Sequence, residues 1–234
     1  MPVFHDLRTL FIHIPKNAGR SIEEALLRGH GTPDSGRRNL LNRAATLLQR
    51  KSASPFATDH LIGTLDHAFA SQHLTYLEIA HLRLLPEDVL NGYRTFCVCR
   101  NPYDRAVSTV LHFAEEAGEE PITTASAFEE KLNAWLDRPK SDHNLVAHDR
   151  PQSDYVVDDR GRMAIETVLR FENLAEDFAR LATSLGMPEN SLTWFGKASR
   201  SRRYQDYFTP DARKAVERKY GEDLDRFGYT YEGE

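Results

Sequence analysis

The sequence predicts an α/β fold in which a mainly parallel central sheet is flanked by helices. Two short apolar runs rich in β-favouring residues, 7–14 and 93–99, have the length and composition of buried parallel strands. A short loop and an amphipathic helical pattern follow each run, and such alternation is typical of a parallel sheet. The chain of 234 residues, 40% of them hydrophobic, is long and apolar enough for a single domain over 1–234.

Capping residues mark where helices are expected to begin. Ser21 with Glu24, and Thr75 with Glu78, have the spacing of capping boxes, so helices are predicted to open at both places. Asn101 is a predicted N-cap with proline at the first helical position, which opens a helix directly after the second strand.

The remainder of the chain continues the alternation. Helices are predicted over 126–136, over 174–185 and from Pro210, which Thr209 caps, and a further strand over 168–171. Residues 30–60 and 114–165 are predicted insertions outside the core of the sheet. The first carries a helical pattern over 40–51 that is either a lid or ligand-binding element or a solvated surface helix.

Composition excludes several classes of protein. The net charge of −5 and a pI near 6.1 give no global positive field, so no nucleic-acid partner is expected and any anion site must be built locally. Cys97 and Cys99 lie one residue apart on a predicted strand, too close for an ordinary disulfide, and are read as core thiols in a reducing compartment. No run approaches the roughly 18 apolar residues of a membrane helix, and the N-terminus lacks a leader pattern. A cytoplasmic protein is therefore predicted; its oligomeric state is left open.

The loop after the first strand has the features of an anion site. Its backbone N–H groups lie at a helix N-terminus, Lys16 adds a full charge, and Ala18 and Gly19 leave room for a phosphate to approach the backbone. The loop lacks the second glycine and the Gly-Lys-Ser/Thr ending of a Walker A motif, which argues against an NTPase or kinase. The alternative is a structural turn with a solvent-exposed lysine.

A second candidate anion site follows the second strand. Arg100 stands at the strand end and Ser108 lies about two turns into the next helix, offering a guanidinium and a hydroxyl. The alternative is that Arg100 pairs with Asp104 and Ser108 faces solvent. Two separated anion sites in one sheet indicate a ligand with two phosphate-like ends.

These segments resemble the sulfotransferases that use 3′-phosphoadenosine-5′-phosphosulfate (PAPS), in particular bacterial carbohydrate sulfotransferases and the heparan and uronyl 2-O-sulfotransferases. The resemblance is carried by residues 11–21, 72–79, 100–108, 170–174 and 204–229. The loop departs from the family pattern at Arg20 and Asn17, where a threonine is common. The resemblance implies a P-loop-like three-layer sandwich and no metal.

The resemblance also implies roles for the residues of both sites. The 5′-phosphosulfate would be held by Pro15, Lys16, Asn17, Ala18, Gly19, Arg20 and Ser21. Lys16 would also be catalytic, stabilising charge on the bridging oxygen. Arg100 and Ser108 would bind the 3′-phosphate, which the product 3′-phosphoadenosine-5′-phosphate (PAP) retains.

His73 is the expected general base, since it matches the catalytic histidine of the 2-O-sulfotransferases and precedes a helix. His67, with Asp66 beside it, and His13, at the end of the first strand, are the rivals.

A basic loop near the C-terminus adds further candidates. It contains Lys197, Arg200, Arg202 and Arg203, of which Arg202 or Arg203 is expected to contact the nucleotide; the alternatives are attraction of an anionic acceptor and a plain surface loop. Gln152 is a candidate acceptor-site residue.

The predicted reaction is in-line transfer of a sulfuryl group from PAPS to a hydroxyl, expected to belong to a saccharide or glycoconjugate. The insertions 30–60 and 114–165 are expected to shape the acceptor site, and the helical pattern over 40–51 would then be a lid or acceptor-binding element. A nucleotide kinase-like phosphotransferase and a non-catalytic PAP- or glycan-binding module are the alternatives.

Overall fold

The computed structural model describes residues 3–4, 7–28, 73–82, 85, 87–189, 192 and 202–233. Several predicted features lie outside the described residues: the insertion at 30–60 with its helix over 40–51, the rival base His67, and Lys197 and Arg200 of the basic loop.

The described strands form a single sheet in chain order. They are β1 (Val3–Phe4), β2 (Thr9–Ile12), β3 (Arg94–Cys99) and β4 (Thr167–Arg170). β1 pairs antiparallel with β2, whereas β2 and β3 are parallel, with Thr9 opposite Arg94 and Ile12 opposite Cys97. The sheet is mostly parallel and flanked by helices, so the predicted α/β fold class is confirmed. The strands predicted over 7–14, 93–99 and 168–171 correspond to β2, β3 and β4.

Helices follow the strands as the alternation predicts. Those of the described ranges are α1 (Gly19–Arg28), α2 (Tyr76–His81), α3 (Glu87–Gly92), α4 (Pro102–Glu116), α5 (Ala125–Asp137), α6 (His143–Asp149), α7 (Leu174–Ser184) and α8 (Pro210–Phe227). Three predicted caps are confirmed. The Asn101 side chain accepts from the N–H of Tyr103, Thr75 forms a capping box with Glu78, and Thr209 caps α8.

The predicted start of α1 is wrong by two residues. The helix begins at Gly19 rather than Ser21, because the carbonyl of Ala18 already accepts from the N–H groups of Ser21, at 2.9 Å, and Ile22, at 3.2 Å. Ser21 therefore lies inside the first turn, with its side chain buried.

The chain forms two compact units, each built from two stretches: residues 1–98 with 155–195, and residues 99–154 with 196–234. In the first unit β2, β3, β4, α1 and α7 contribute a core that includes Phe11, Ile22, Leu26, Phe96, Leu169 and Phe178. In the second unit α4, α5 and α8 contribute a core that includes Tyr103, Val107, Phe128, Leu132 and Val216. Cys97 and Cys99 are buried and form no disulfide, as predicted. The single domain over 1–234 stays a prediction.

Candidate functional site

The loop between β2 and α1 contains two residues with left-handed φ, a feature of anion-binding nests. Lys16 has φ 67° and Ala18 has φ 61°, whereas Asn17 between them is not at positive φ. Residues that alternate between right- and left-handed conformations turn successive N–H groups towards one concavity, which binds anions. Left-handed φ costs a non-glycine residue about 1–2 kcal/mol, and such strain gathers at functional sites.

A buried hydrogen bond holds this loop in place. The side-chain Nδ2 of Asn17 donates to the carbonyl of Val98 in β3 at 2.7 Å, and Asn17 is only 1% exposed. The Asn17 side chain is thus an anchor, and its contribution to an anion would come from its backbone. Lys16 is half-buried and Arg20 is exposed at the start of α1.

His13, which directly precedes this loop, lies in a buried cluster. Its Nδ1 is 2.7 Å from Oε1 of Glu23 in α1, and its ring stacks on Phe11 with centroids 5.4 Å apart. The ring also fills the space beside Gly19: a Cβ built there would lie 1.8 Å from Nε2 of His13. Sequence analysis missed Glu23. A carboxylate beside the buried Ile22 on the inner face of α1 is the feature that could have identified it.

His73 lies against His13 in the first unit. Its Nδ1 is 3.0 Å from the backbone carbonyl of His13, and the two rings meet edge to face at a centroid distance of 4.6 Å. A carbonyl oxygen only accepts hydrogen bonds, so Nδ1 of His73 must carry the proton. In neutral His73 the basic lone pair is therefore on Nε2. This is the tautomer in which Nε2 can act as a general base.

The second predicted site begins at Arg100, immediately after β3. The Nε and Nη2 atoms of Arg100 each lie 2.7 Å from Oδ2 of Asp104, and both residues are buried. The pairing anticipated as the structural alternative is therefore present. It also fixes the plane of the guanidinium. Ser108 is half-buried on α4.

The structure gives Gln152 a role that sequence analysis did not predict. Gln152 is fully buried, and its amide bonds to both backbone polar groups of Arg100. Its own N–H and that of Ser153 donate to the carboxylate of Asp223 at 2.8 and 2.7 Å. Burial raises the pKa of Asp223 above its usual value, and Arg105 and these two N–H groups offset only part of that rise.

The described part of the basic loop separates its two arginines. Arg202 donates to the carbonyls of Thr123, at 2.7 Å, and Asp206, at 2.6 Å, and lies 4.5 Å from the ring centroid of Tyr207. The side chain of Arg203 is 81% exposed and approaches Asp206 at 3.5 Å. Of the two, Arg203 presents its guanidinium to solvent.

The described residues contain no cluster of three or more histidine, cysteine, aspartate or glutamate side chains that could hold a metal ion. Among the helices that the structure describes, none combines the length and apolar character needed to cross a membrane.

Comparison with known proteins places the chain in a family. A search of curated proteins and a search of solved structures each give no significant match. The model of the sulfotransferase family, in contrast, matches residues 2–230, which include the loop between β2 and α1, His73, Arg100 and Ser108. The chain therefore belongs to the sulfotransferase family.

Proposed function

We propose that the protein transfers a sulfuryl group from PAPS to a hydroxyl group of a carbohydrate acceptor. The observation that carries this proposal is the loop between β2 and α1, where Lys16 and Ala18 adopt left-handed φ and Lys16 adds a positive charge. Membership of the sulfotransferase family supports the reaction type. The likeness of the loop and of residues 100–108 to carbohydrate sulfotransferases supports the donor and the acceptor class.

Each end of the donor is assigned to one anion site. The N–H groups of residues 16–21 and the Lys16 ammonium hold the 5′-phosphosulfate. The Arg100 guanidinium and the Ser108 hydroxyl hold the 3′-phosphate. From the basic loop, Arg203 is assigned to the nucleotide. A 3′-phosphate distinguishes PAPS from other adenine nucleotides, so Arg100 supplies the specificity for this donor.

The protein residues divide the work of the transfer. His73 accepts the proton of the acceptor hydroxyl at Nε2 as the new bond from the acceptor oxygen to sulfur forms. Lys16 stabilises the negative charge that builds on the bridging oxygen as its bond to sulfur breaks, and PAP leaves. A sulfuryl group carries less negative charge than a phosphoryl group, so Lys16 and the loop amides supply the neutralisation without a metal ion.

Cys97 and Cys99 are buried thiols that form no disulfide, which is compatible with the reducing cytoplasmic location that we also propose.

The test is a calorimetric titration of the protein with PAP, AMP and ATP–magnesium. We expect tight binding only of PAP, followed by transfer from labelled PAPS in a screen of saccharides. Binding of ATP–magnesium without preference for a 3′-phosphate would overturn the proposal in favour of a phosphotransferase. Binding of PAP with no transfer to any acceptor or to water would instead identify a non-catalytic PAP-binding module.

A further inference from the structure

The amide of Gln152 pairs with Arg100 as a neighbouring strand would. Its Oε1 accepts from the Arg100 N–H at 3.0 Å, and its Nε2 donates to the Arg100 carbonyl at 2.8 Å. Arg100 directly follows Cys99, the last residue of β3, so the side chain of Gln152 satisfies backbone groups at the point where the strand has ended. A side-chain amide offers one donor and one acceptor in this arrangement without carrying a charge.

The backbone of Gln152 is held in turn by the carboxylate of Asp223. The two oxygens of Asp223 accept the backbone N–H groups of Gln152 and Ser153, and Asp223, Gln152 and Ser153 are all 0% exposed. Hydrogen bonds to a carboxylate are about twice as strong as neutral ones. Asp223 lies in α8, so this helix fixes Gln152, and Gln152 fixes the backbone of Arg100.

The side chain of Arg100 is fixed separately, by Asp104. With the backbone held by Gln152 and the guanidinium plane held by Oδ2 of Asp104, the directions of the remaining guanidinium N–H groups are determined. Preorganisation of this kind lowers the entropy cost of binding a phosphate.

We propose that Gln152 is a positioning residue that sets the preference for a 3′-phosphate by holding the backbone of Arg100. This inference rests on the proposed function, in which Arg100 binds that phosphate. It replaces the expectation that Gln152 contacts the acceptor.

The test compares the affinities of PAP and AMP, which differ only in the 3′-phosphate, by calorimetry. Gln152→Met keeps the length of the side chain but removes both hydrogen bonds. We expect this variant to weaken the binding of PAP at least fivefold and to leave the binding of AMP unchanged. The dissociation constant of AMP divided by that of PAP therefore falls. Arg100→Ala removes the guanidinium itself and gives the largest expected fall in this ratio, about 10- to 150-fold for a charge-assisted hydrogen bond.

A core variant of the same unit controls for loss of stability alone. Leu132 is fully buried in the core of the second unit, and Leu132→Ala should lower the thermal midpoint while preserving the ratio. If Gln152→Met does not fold, Gln152→Asn is measured by the same criterion. A wild-type preference for PAP that the Gln152 variant retains would overturn the positioning role alone. A wild-type protein without preference for PAP would overturn the proposed function as well.

Discussion

A methyl group at Gly19 is expected to break the buried pair between His13 and Glu23. A Cβ at this position would lie 1.8, 2.1 and 2.3 Å from three atoms of the His13 ring. The ring cannot move aside freely, because Nδ1 is 2.7 Å from Glu23 and one face is stacked on Phe11. Gly19→Ala must therefore displace the imidazole and separate two buried polar groups.

The magnitude follows from two opposing effects. Separating the buried, hydrogen-bonded His13 and Glu23 costs about 1–3 kcal/mol for each polar group that loses this hydrogen bond. Gly19 is the first residue of α1 and is not at positive φ, so alanine would otherwise favour the helix by up to about 1 kcal/mol. Gly19→Ala should thus lower the free energy of unfolding by roughly 1–6 kcal/mol. In a His13→Ala background the clash is absent, and the same change should be neutral or slightly stabilising.

The assay is urea unfolding of the wild type, both single variants and the double variant. Gly221→Ala is the matched control, since a Cβ at Gly221 in α8 meets nothing within 4 Å and should not destabilise the protein. If Gly19→Ala changed the free energy of unfolding equally in both backgrounds, the steric reasoning about His13 would be refuted.

Three further predictions address the base, the core and the loop. His73→Ala should lower turnover about 10²- to 10⁴-fold in a labelled-PAPS assay with PAP affinity unchanged, and an active variant would exclude His73 as the base. Burial raises the pKa of Tyr220 above its usual value near 10. Above pH 10 the phenol ionises more readily in the unfolded chain than in the folded protein, so the free energy of unfolding falls as the pH rises further. Tyr220→Phe should reduce this fall in the free energy of unfolding, by up to about 1.4 kcal/mol per pH unit in urea unfolding. An unchanged dependence on pH would contradict the raised pKa of Tyr220. Ala18→Gly should relieve about 1–2 kcal/mol of left-handed strain against about 0.4–1 kcal/mol of unfolded-state entropy. We expect the thermal midpoint to rise, and a fall would contradict the inference that the backbone of Ala18 is strained.

Features determined by local sequence were predictable. The cap at Asn101 needs only its own side chain and the N–H of Tyr103, two residues away, and the Thr75–Glu78 box spans three residues. Such contacts form whenever the segment is helical, whatever surrounds it. The alternation of buried strands and amphipathic helices likewise predicted the sheet, because it reflects periodicity within each segment.

Features that depend on distant residues were not predictable. Gln152, which follows Arg150 and Pro151, was expected at the acceptor, yet the partners of its side chain and backbone are 52 and 71 residues away in the sequence. The left-handed φ of Lys16 and Ala18 is equally hidden, since neither residue type favours that conformation. The segment α6 was missed although Asp142 caps it, because seven residues give too short a periodic pattern.

Neutral amides anchor the backbone at both proposed anion sites. Asn17 bonds the loop to Val98, and Gln152 bonds Arg100 on both of its backbone polar groups. A charged anchor in either position would add a second field beside the bound phosphate, whereas an amide satisfies buried backbone groups without changing the net charge. Asp104 is the contrast, because it pairs directly with the Arg100 guanidinium and offsets part of its charge. Under the proposed function, the attraction for the 3′-phosphate would therefore depend on the orientation of Arg100 as much as on its charge, and Gln152 is the residue that we propose to hold that orientation.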